Sequence, residues 1–314
     1  MLTKLRIAGP HRLFSSLTGI AAVACIAGAL AGCGNGRSDP PVSSASGSDP
    51  LALPTAGKPL PTYPPTTDGM EALRRMVKAY RSLDSAVIRS LAAETQTWGD
   101  SAPSQIRQTT TLKFQANPPR LSLDLQDADQ GTQTETADGH TLIHYWGKSN
   151  VFFTRATAST LAGMASQVDE DAPQVMSPLL FLTSGDVPPG VASVRLGKDE
   201  LVGGHRALVV EGQYTDAYMR AFGSRFFENS LQPIRKSFQL WLDPSDYTLL
   251  KTSVDIGWRA PSRKRTKANT IDSFTVASVE TYTNTIRNPT FASEEFRFLH
   301  PRGVTEVFKN PGAH

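Results

Sequence analysis

The chain has 314 residues, 39% of them apolar, with 32 basic and 29 acidic side chains and two cysteines. Its first 32 residues hold Lys4, Arg6 and Arg12 and no acid, so the formal charge of +3 belongs to that segment and the remainder balances 29 bases against 29 acids. A balanced chain lacks the basic footprint of nucleic-acid binding, and Cys25 and Cys33 are too few to staple a disulfide scaffold.

A basic start is followed by an apolar run at residues 17–30, then by small residues. Fourteen residues fall short of the roughly 20 that span a bilayer. The order of features is that of a secretory signal peptide. Leu30-Ala31-Gly32-Cys33 resembles the bacterial lipobox at all four positions. That resemblance implies cleavage before Cys33 and lipidation of its thiol, so residues 1–32 are read as a leader. Cys25 would leave with it. The mature chain would have no intramolecular disulfide and no cysteine for catalysis or metal binding. Gly34 follows Cys33, without the aspartate that signals inner-membrane retention in many Gram-negative bacteria. The expected location is therefore the periplasm, anchored to the outer membrane.

Residues 34–66 are rich in Gly, Ser and Pro and show no apolar periodicity. They read as a tether, roughly 30 Å in r.m.s. span if flexible and longer where the prolines extend it. A single domain is expected over 67–314. Asp68 and Glu71 have capping-box spacing. Leu73, Val77, Tyr80 and Val87 then recur at helix-like spacing, flanked by Met70, Met76 and Leu83. This predicts an amphipathic helix of about four turns. Arg74, Arg75, Lys78 and Arg81 fill its other side, as a solvated face or as contacts to anionic headgroups.

From about residue 87 the period becomes two. Leu112 and Phe114 share one face of a strand; Leu121, Leu123 and Leu125 share one face of the next, with Ser122 and Asp124 opposite. Asn117-Pro118-Pro119 turns between them. A Thr-rich strand at 131–137 runs into Asp138-Gly139, a hairpin signal, and strands at 140–146 and 151–155 follow. Residues 157–167 read as helix. Residues 177–185 read as a compact apolar helix or lid, with Pro178 in its first turn. Strands resume over 192–201 and 205–214. The segment 215–233 reads as an insertion with one further amphipathic helix carrying Tyr218, Phe222, Phe226 and Phe227. In the strand that follows, Phe238, Leu240 and Leu242 face one way, and Gln239 and Trp241 the other. The expected fold is mainly β: roughly ten or eleven antiparallel strands in hairpin order, forming a curved, unclosed barrel with an N-terminal helix and inserted lid helices.

Several segments carry a family resemblance. "SFQLWLDPSDYTLLKTSVD" (237–255) resembles the signature hairpin of the LolA/LolB-like periplasmic lipoprotein-carrier superfamily. "YRSLDSA", "KFQANPPRLSLDL", "ADGHTLIHYWGKSNVFFTR" and "NPTFASEEFRFLHPRGVTEV" fit that pattern in order, over about residues 70–307. Within the superfamily the chain is most like a branch of predicted periplasmic proteins. The resemblance implies an open half-barrel whose cavity holds the acyl chains of a lipid or lipoprotein. It places Leu121, Leu123, Phe153, Phe238, Leu240 and Leu242 in the cavity wall and Leu179, Leu180 and Phe181 in the lid. A tethered chain suits a membrane-fixed acceptor better than a shuttle. The alternative is a regulatory or scaffold lipoprotein, such as an envelope-stress sensor, that binds a protein partner through the same half-barrel.

No catalytic constellation accompanies this pattern. Neither Gly-x-Ser-x-Gly nor His-Glu-x-x-His occurs. His140 and His144, if both in one strand, would lie on one face roughly 13 Å apart, too far to chelate one ion. His205 reads as a turn-to-strand residue and Glu294-Glu295 as a solvated turn. The basic cluster at 263–267 reads as a headgroup contact or a loop. The sequence thus predicts no enzyme activity, no metal and no cofactor.

Overall fold

The computed structural model describes residues 66–128, 131–171, 175–225, 231–259 and 273–307. The leader, Cys33, nearly all of the tether, Phe226, Phe227 and the basic cluster at 263–267 lie outside the described residues.

Among the described residues thirteen strands form one curved sheet. Six come first: β1 (Ser85–Trp98), β2 (Ser104–Gln115), β3 (Arg120–Asp127), β4 (Gly131–Ala137), β5 (Thr141–Trp146) and β6 (Val151–Ala156). After two helices come β7 (Val191–Leu196), β8 (Glu200–Val202) and β9 (His205–Tyr214). A further helix precedes β10 (Gln232–Leu242), β11 (Leu249–Arg259), β12 (Ser273–Arg287) and β13 (Thr305–Glu306). The spatial order is β13-β6-β5-β4-β3-β2-β1-β12-β11-β10-β9-β7, with β8 paired to β9. Hairpin neighbours in sequence are thus neighbours in space. The one long-range antiparallel pairing joins β1 to β12 and puts the two longest strands at the centre. A bulge at Arg89/Ser90 interrupts their register and adds local bend and twist. The tail returns to lay β13 parallel to β6. The outer strands β7 and β13 do not pair with each other, so the barrel is unclosed, as expected.

Four α-helices lie among the described residues: α1 (Gly69–Arg81), α2 (Leu161–Asp171), α3 (Pro178–Thr183) and α4 (Asp216–Ser224). Asp68 caps α1, its side chain accepting from the Met70 N–H. The helix buries Ala72, Leu73, Met76, Val77, Ala79 and Tyr80 and packs on α3, β7 and β9. It ends at Arg81, so Val87 belongs to β1 and not to the helical stripe; its spacing matched the helix only by coincidence. Arg75 also departs from a solvated face. It is half-buried, pairs with Glu71 at 2.9 Å and donates to the Tyr247 hydroxyl at 3.0 Å.

That tyrosine lies in the turn between β10 and β11, the most motif-like stretch of the sequence. Asp243 accepts from the Ser245 N–H at 2.8 Å, and Asp246 from the Thr248 N–H at 2.9 Å. Arg287 of β12 pairs with Asp246 and donates to the Thr248 hydroxyl at 2.9 Å. The turn is thereby fixed so that the Leu249 N–H donates to the buried Tyr80 hydroxyl at 3.0 Å. The motif residues hold α1 against the sheet. Trp241, on the outer face, packs with Ala207 and Val209 in a small second core. Its indole N–H donates to Glu200 at 2.8 Å. The turn Ser293–Phe296 packs over the outer side of β3, which leaves Ser122 buried although its strand parity points outward.

Replacing Tyr80 with Phe should leave the buried Leu249 N–H without its acceptor and cost about 1–3 kcal/mol of stability, read from the shift in urea midpoint.

Candidate functional site

The strand parity that faces the helices defines the concave surface. On it lie Leu112 and Phe114 (β2), Leu121, Leu123 and Leu125 (β3), Ala137 (β4), Leu142 (β5), Val210 and Tyr214 (β9), and Phe238, Leu240 and Leu242 (β10). All belong to one apolar cluster that α1, α2 and α3 complete. The cluster brings together eight of the nine residues that the resemblance assigned to wall and lid: Leu121, Leu123, Leu179, Leu180, Phe181, Phe238, Leu240 and Leu242. Each is at most 6% exposed. The ninth, Phe153, is buried on the same face but stands apart, stacked with His144 and Trp146 at ring distances of 5.3 and 5.5 Å.

The lid forms as the sequence suggests. Ser177 caps α3 by accepting from the Leu180 N–H, and Pro178 opens its first turn. Residues 178–182 are all buried, and Phe181 meets Tyr80 at 5.3 Å between ring centroids. At the other end of the concave face α4 does the same work. Thr215 caps it. Gly223 lets it come close, since a Cβ there would sit 2.6 Å from the Trp258 ring nitrogen. The Trp258 indole donates to the Met219 carbonyl at 2.7 Å, and Phe222, Trp258 and Phe274 stack in series. The insertion is therefore a second cover, built by α4.

Between these two apolar ends the concave face is polar, which the sequence reading missed. Ser90, Glu94, Gln96, Gln108, Thr252, Ser278 and Glu280 are all buried, none more than 6% exposed. Ser90 and Tyr282 both donate to Glu280, the tyrosine at 3.0 Å. Gln96 donates to one oxygen of Glu94 at 2.6 Å. Burial pushes the Glu94 carboxyl well above its ordinary value, against the Gln96 hydrogen bond. Burial also raises Glu280, against the bonds from Ser90 and Tyr282. A second buried pair, Glu135 and His144, faces the same side on β4 and β5. Strand parity held the signal: Glu94 and Gln96 follow Ile88 at even spacing, and Glu280 lies between inward-facing Val276 and Tyr282.

His140 is an exposed turn residue whose N–H donates to Asp138, so only His144 is in the strand. Glu294 and Glu295 lie in the exposed turn over β3. No helix among the described residues is long and apolar enough to cross a membrane. No group of three His, Cys, Asp or Glu among them could hold a metal ion.

Fold and site together define an open half-barrel with a helix-covered concave face. Its closeness to solved structures is at the level of fold. It is similar to the lipoprotein LppX of Mycobacterium tuberculosis, at 12% identity, TM-score 0.38 and coverage of 72% of this chain and 97% of that one. It is similar to LprF of Mycobacterium bovis at 11% identity, TM-score 0.37 and coverage of 73% and 96%. A LolA superfamily protein from Nitrosomonas europaea matches at 12% identity, TM-score 0.27 and coverage of 74% and 99%. No protein-family model and no curated protein matches the chain.

The raised carboxyls fix a pH dependence. A carboxyl that is harder to ionise in the fold than in the unfolded chain stabilises the fold fully below its unfolded value, here 4.5. That contribution is lost as pH rises through the higher folded value. Urea midpoints should fall as the pH rises above 4.5, with a flatter profile for Glu94→Gln. The exposed pairs of Glu71 and Asp216, whose carboxyls are held low, contribute little against this trend.

Proposed function

We propose that the protein is an envelope lipoprotein, anchored through Cys33, that takes up the acyl chains of a lipid or lipoprotein on the concave face of its half-barrel. It acts as a membrane-fixed acceptor or carrier, without catalysis or cofactor. The observation that carries this reading is α3: a six-residue helix whose residues 178–182 are all buried, packed on α1 and α2 within the apolar cluster of the concave face. A helix this short has no stability of its own. Beyond its Ser177 cap, apolar contacts hold it in place, and an acyl chain offers the same contacts. Four side chains of the Leu/Phe kind contribute about 1.5–3 kcal/mol each on burial, and an acyl chain about 0.8 kcal/mol per methylene. Ten or so methylenes are thus of the same order as the lid. The exchange is close to balanced, as reversible loading requires.

The wall would then be Leu121, Leu123, Phe238, Leu240 and Leu242, with Phe153 at the far margin. The lid would be Leu179, Leu180 and Phe181. A reach of roughly 30 Å through the tether lets the open edge approach a bilayer while Cys33 stays in it.

Native mass spectrometry of the mature chain carrying Cys33→Ser, so that it bears no acyl group of its own, tests the reading. A co-purified lipid or a stoichiometric complex with added fatty acid is expected. Leu240→Glu should abolish loading while far-UV circular dichroism stays native. A protein that remains empty and instead retains one protein partner would favour the scaffold reading.

A further inference from the structure

The polar middle of the concave face contains acceptors that no described residue satisfies. Glu94 keeps one carboxylate oxygen, Oε2, without a hydrogen-bond partner among the described residues; so do Gln108 at Oε1 and Ser278 at Oγ. All three side chains are more than nine-tenths buried, at 2%, 6% and 4% exposure. Such groups are costly to bury unpaired.

Register brings them together. Glu94 of β1 lies directly opposite Ser278 of β12. Gln108 of β2 lies opposite Ala92 of β1, which lies opposite Glu280 of β12. The row therefore runs Gln108, Ala92, Glu280, and only a methyl group separates the two longer polar side chains. Glu94 is one step along the same face, within about 7–8 Å of the row by the diagonal spacing of a sheet.

Burial keeps these carboxyls from ionising alone, and a cation brought against them would favour the ionised form. Gln96 and Asp127 act on the Glu94 carboxyl, and Ser90 and Tyr282 on Glu280; no basic side chain is among them. Asp127, opposite Gln108 on β3, adds to the negative field. A ligand that fits must bring hydrogen-bond donors and positive charge. A primary ammonium has three donors and no acceptor, matching three open acceptors, one of them on the Glu94 carboxyl, with the Glu280 carboxyl alongside.

We propose that the band around Glu94, Gln108 and Ser278 is a subsite for a primary ammonium group, the head of an amphiphile whose alkyl chain lies along the apolar surface under α1 and α3. The subsite deepens the acyl-binding reading and rests on it. Glu94 supplies the ion pair, Ser278 and Gln108 the remaining acceptors, and Ala92 the space. Glu280, already held by Ser90 and Tyr282, makes no direct bond to the head. The head would enter buried at mid-face and not at the rim, so head and chain are sequestered together.

Decylamine, decanol and decanoate share one alkyl chain and differ in the head. Titrated calorimetrically into the mature chain carrying Cys33→Ser, decylamine is expected to bind about tenfold more tightly than either of the others, as a charge-assisted hydrogen bond predicts. Glu94→Gln keeps the shape and removes the charge. It should cost decylamine about tenfold and leave decanol unchanged. Ser278→Ala, the milder change, should lower decylamine affinity alone and serves if the first variant does not fold. Equal affinity for the three heads, or a decylamine preference that survives Glu94→Gln, overturns the subsite and leaves acyl-chain binding intact. Failure of all three to bind overturns both.

Discussion

An open, curved sheet has a concave face that must be covered. Here that face carries leucines and phenylalanines from the flanking strands β2, β3, β9 and β10. A barrel that closed would bury them against itself. This one does not close, so helices must do it. α1 and α3 cover one end and α4 the other. The rest of the architecture serves these two covers. The β10–β11 turn, with Asp243, Asp246 and Arg287, holds α1 through Tyr80 and Tyr247. The Trp258–Met219 bond and the glycine at 223 hold α4. The Ser-capped α3 lies against α1 and α2 with little structure of its own.

The central strands follow a different rule. β1 and β12 are the longest pair and run the full depth of the half-barrel. Apolar residues mark their ends, Ile88 and Tyr282 near α1, Trp98 and Phe274 near α4. In between they carry carboxyls, amides and hydroxyls on the inward face. A core meant only for stability would fill this band with aliphatic side chains, because each buried acid raises the cost of the fold. The half-barrel thus carries two unlike surfaces on one face, apolar at its ends and polar between them.

Much of this architecture was legible in the chain. Period-two alternation in 120–125 and 237–242 placed Leu121, Leu123, Phe238, Leu240 and Leu242 on one face, and Pro178 with its apolar followers gave the lid. The errors have physical causes. Val87 fell by chance on the helical period of α1, and nothing local marked the end at Arg81. His140 was counted into a strand that begins one residue later, because Asp138 holds its N–H in the turn. Arg75 read as a surface charge because its partner Tyr247 lies 172 positions away. The acidic band was missed although Glu94, Gln96 and Glu280 follow inward parity: in a single strand a polar inward residue looks like a residue of the solvent face.

The sequence by itself determined the local order: hairpins in succession, apolar alternation along each strand, and short helices at fixed points. These depend on neighbours in the chain, and period, caps and turn residues report them. Only the tertiary structure decided what lies opposite what. The pairing of β1 with β12 joins residues nearly two hundred positions apart. It sets Glu94 against Ser278 and, with the β1–β2 hairpin, Glu280 across Ala92 from Gln108, and puts the whole band out of water between two helical covers. Burial and missing partners are properties of that assembly, and no window of sequence carries them.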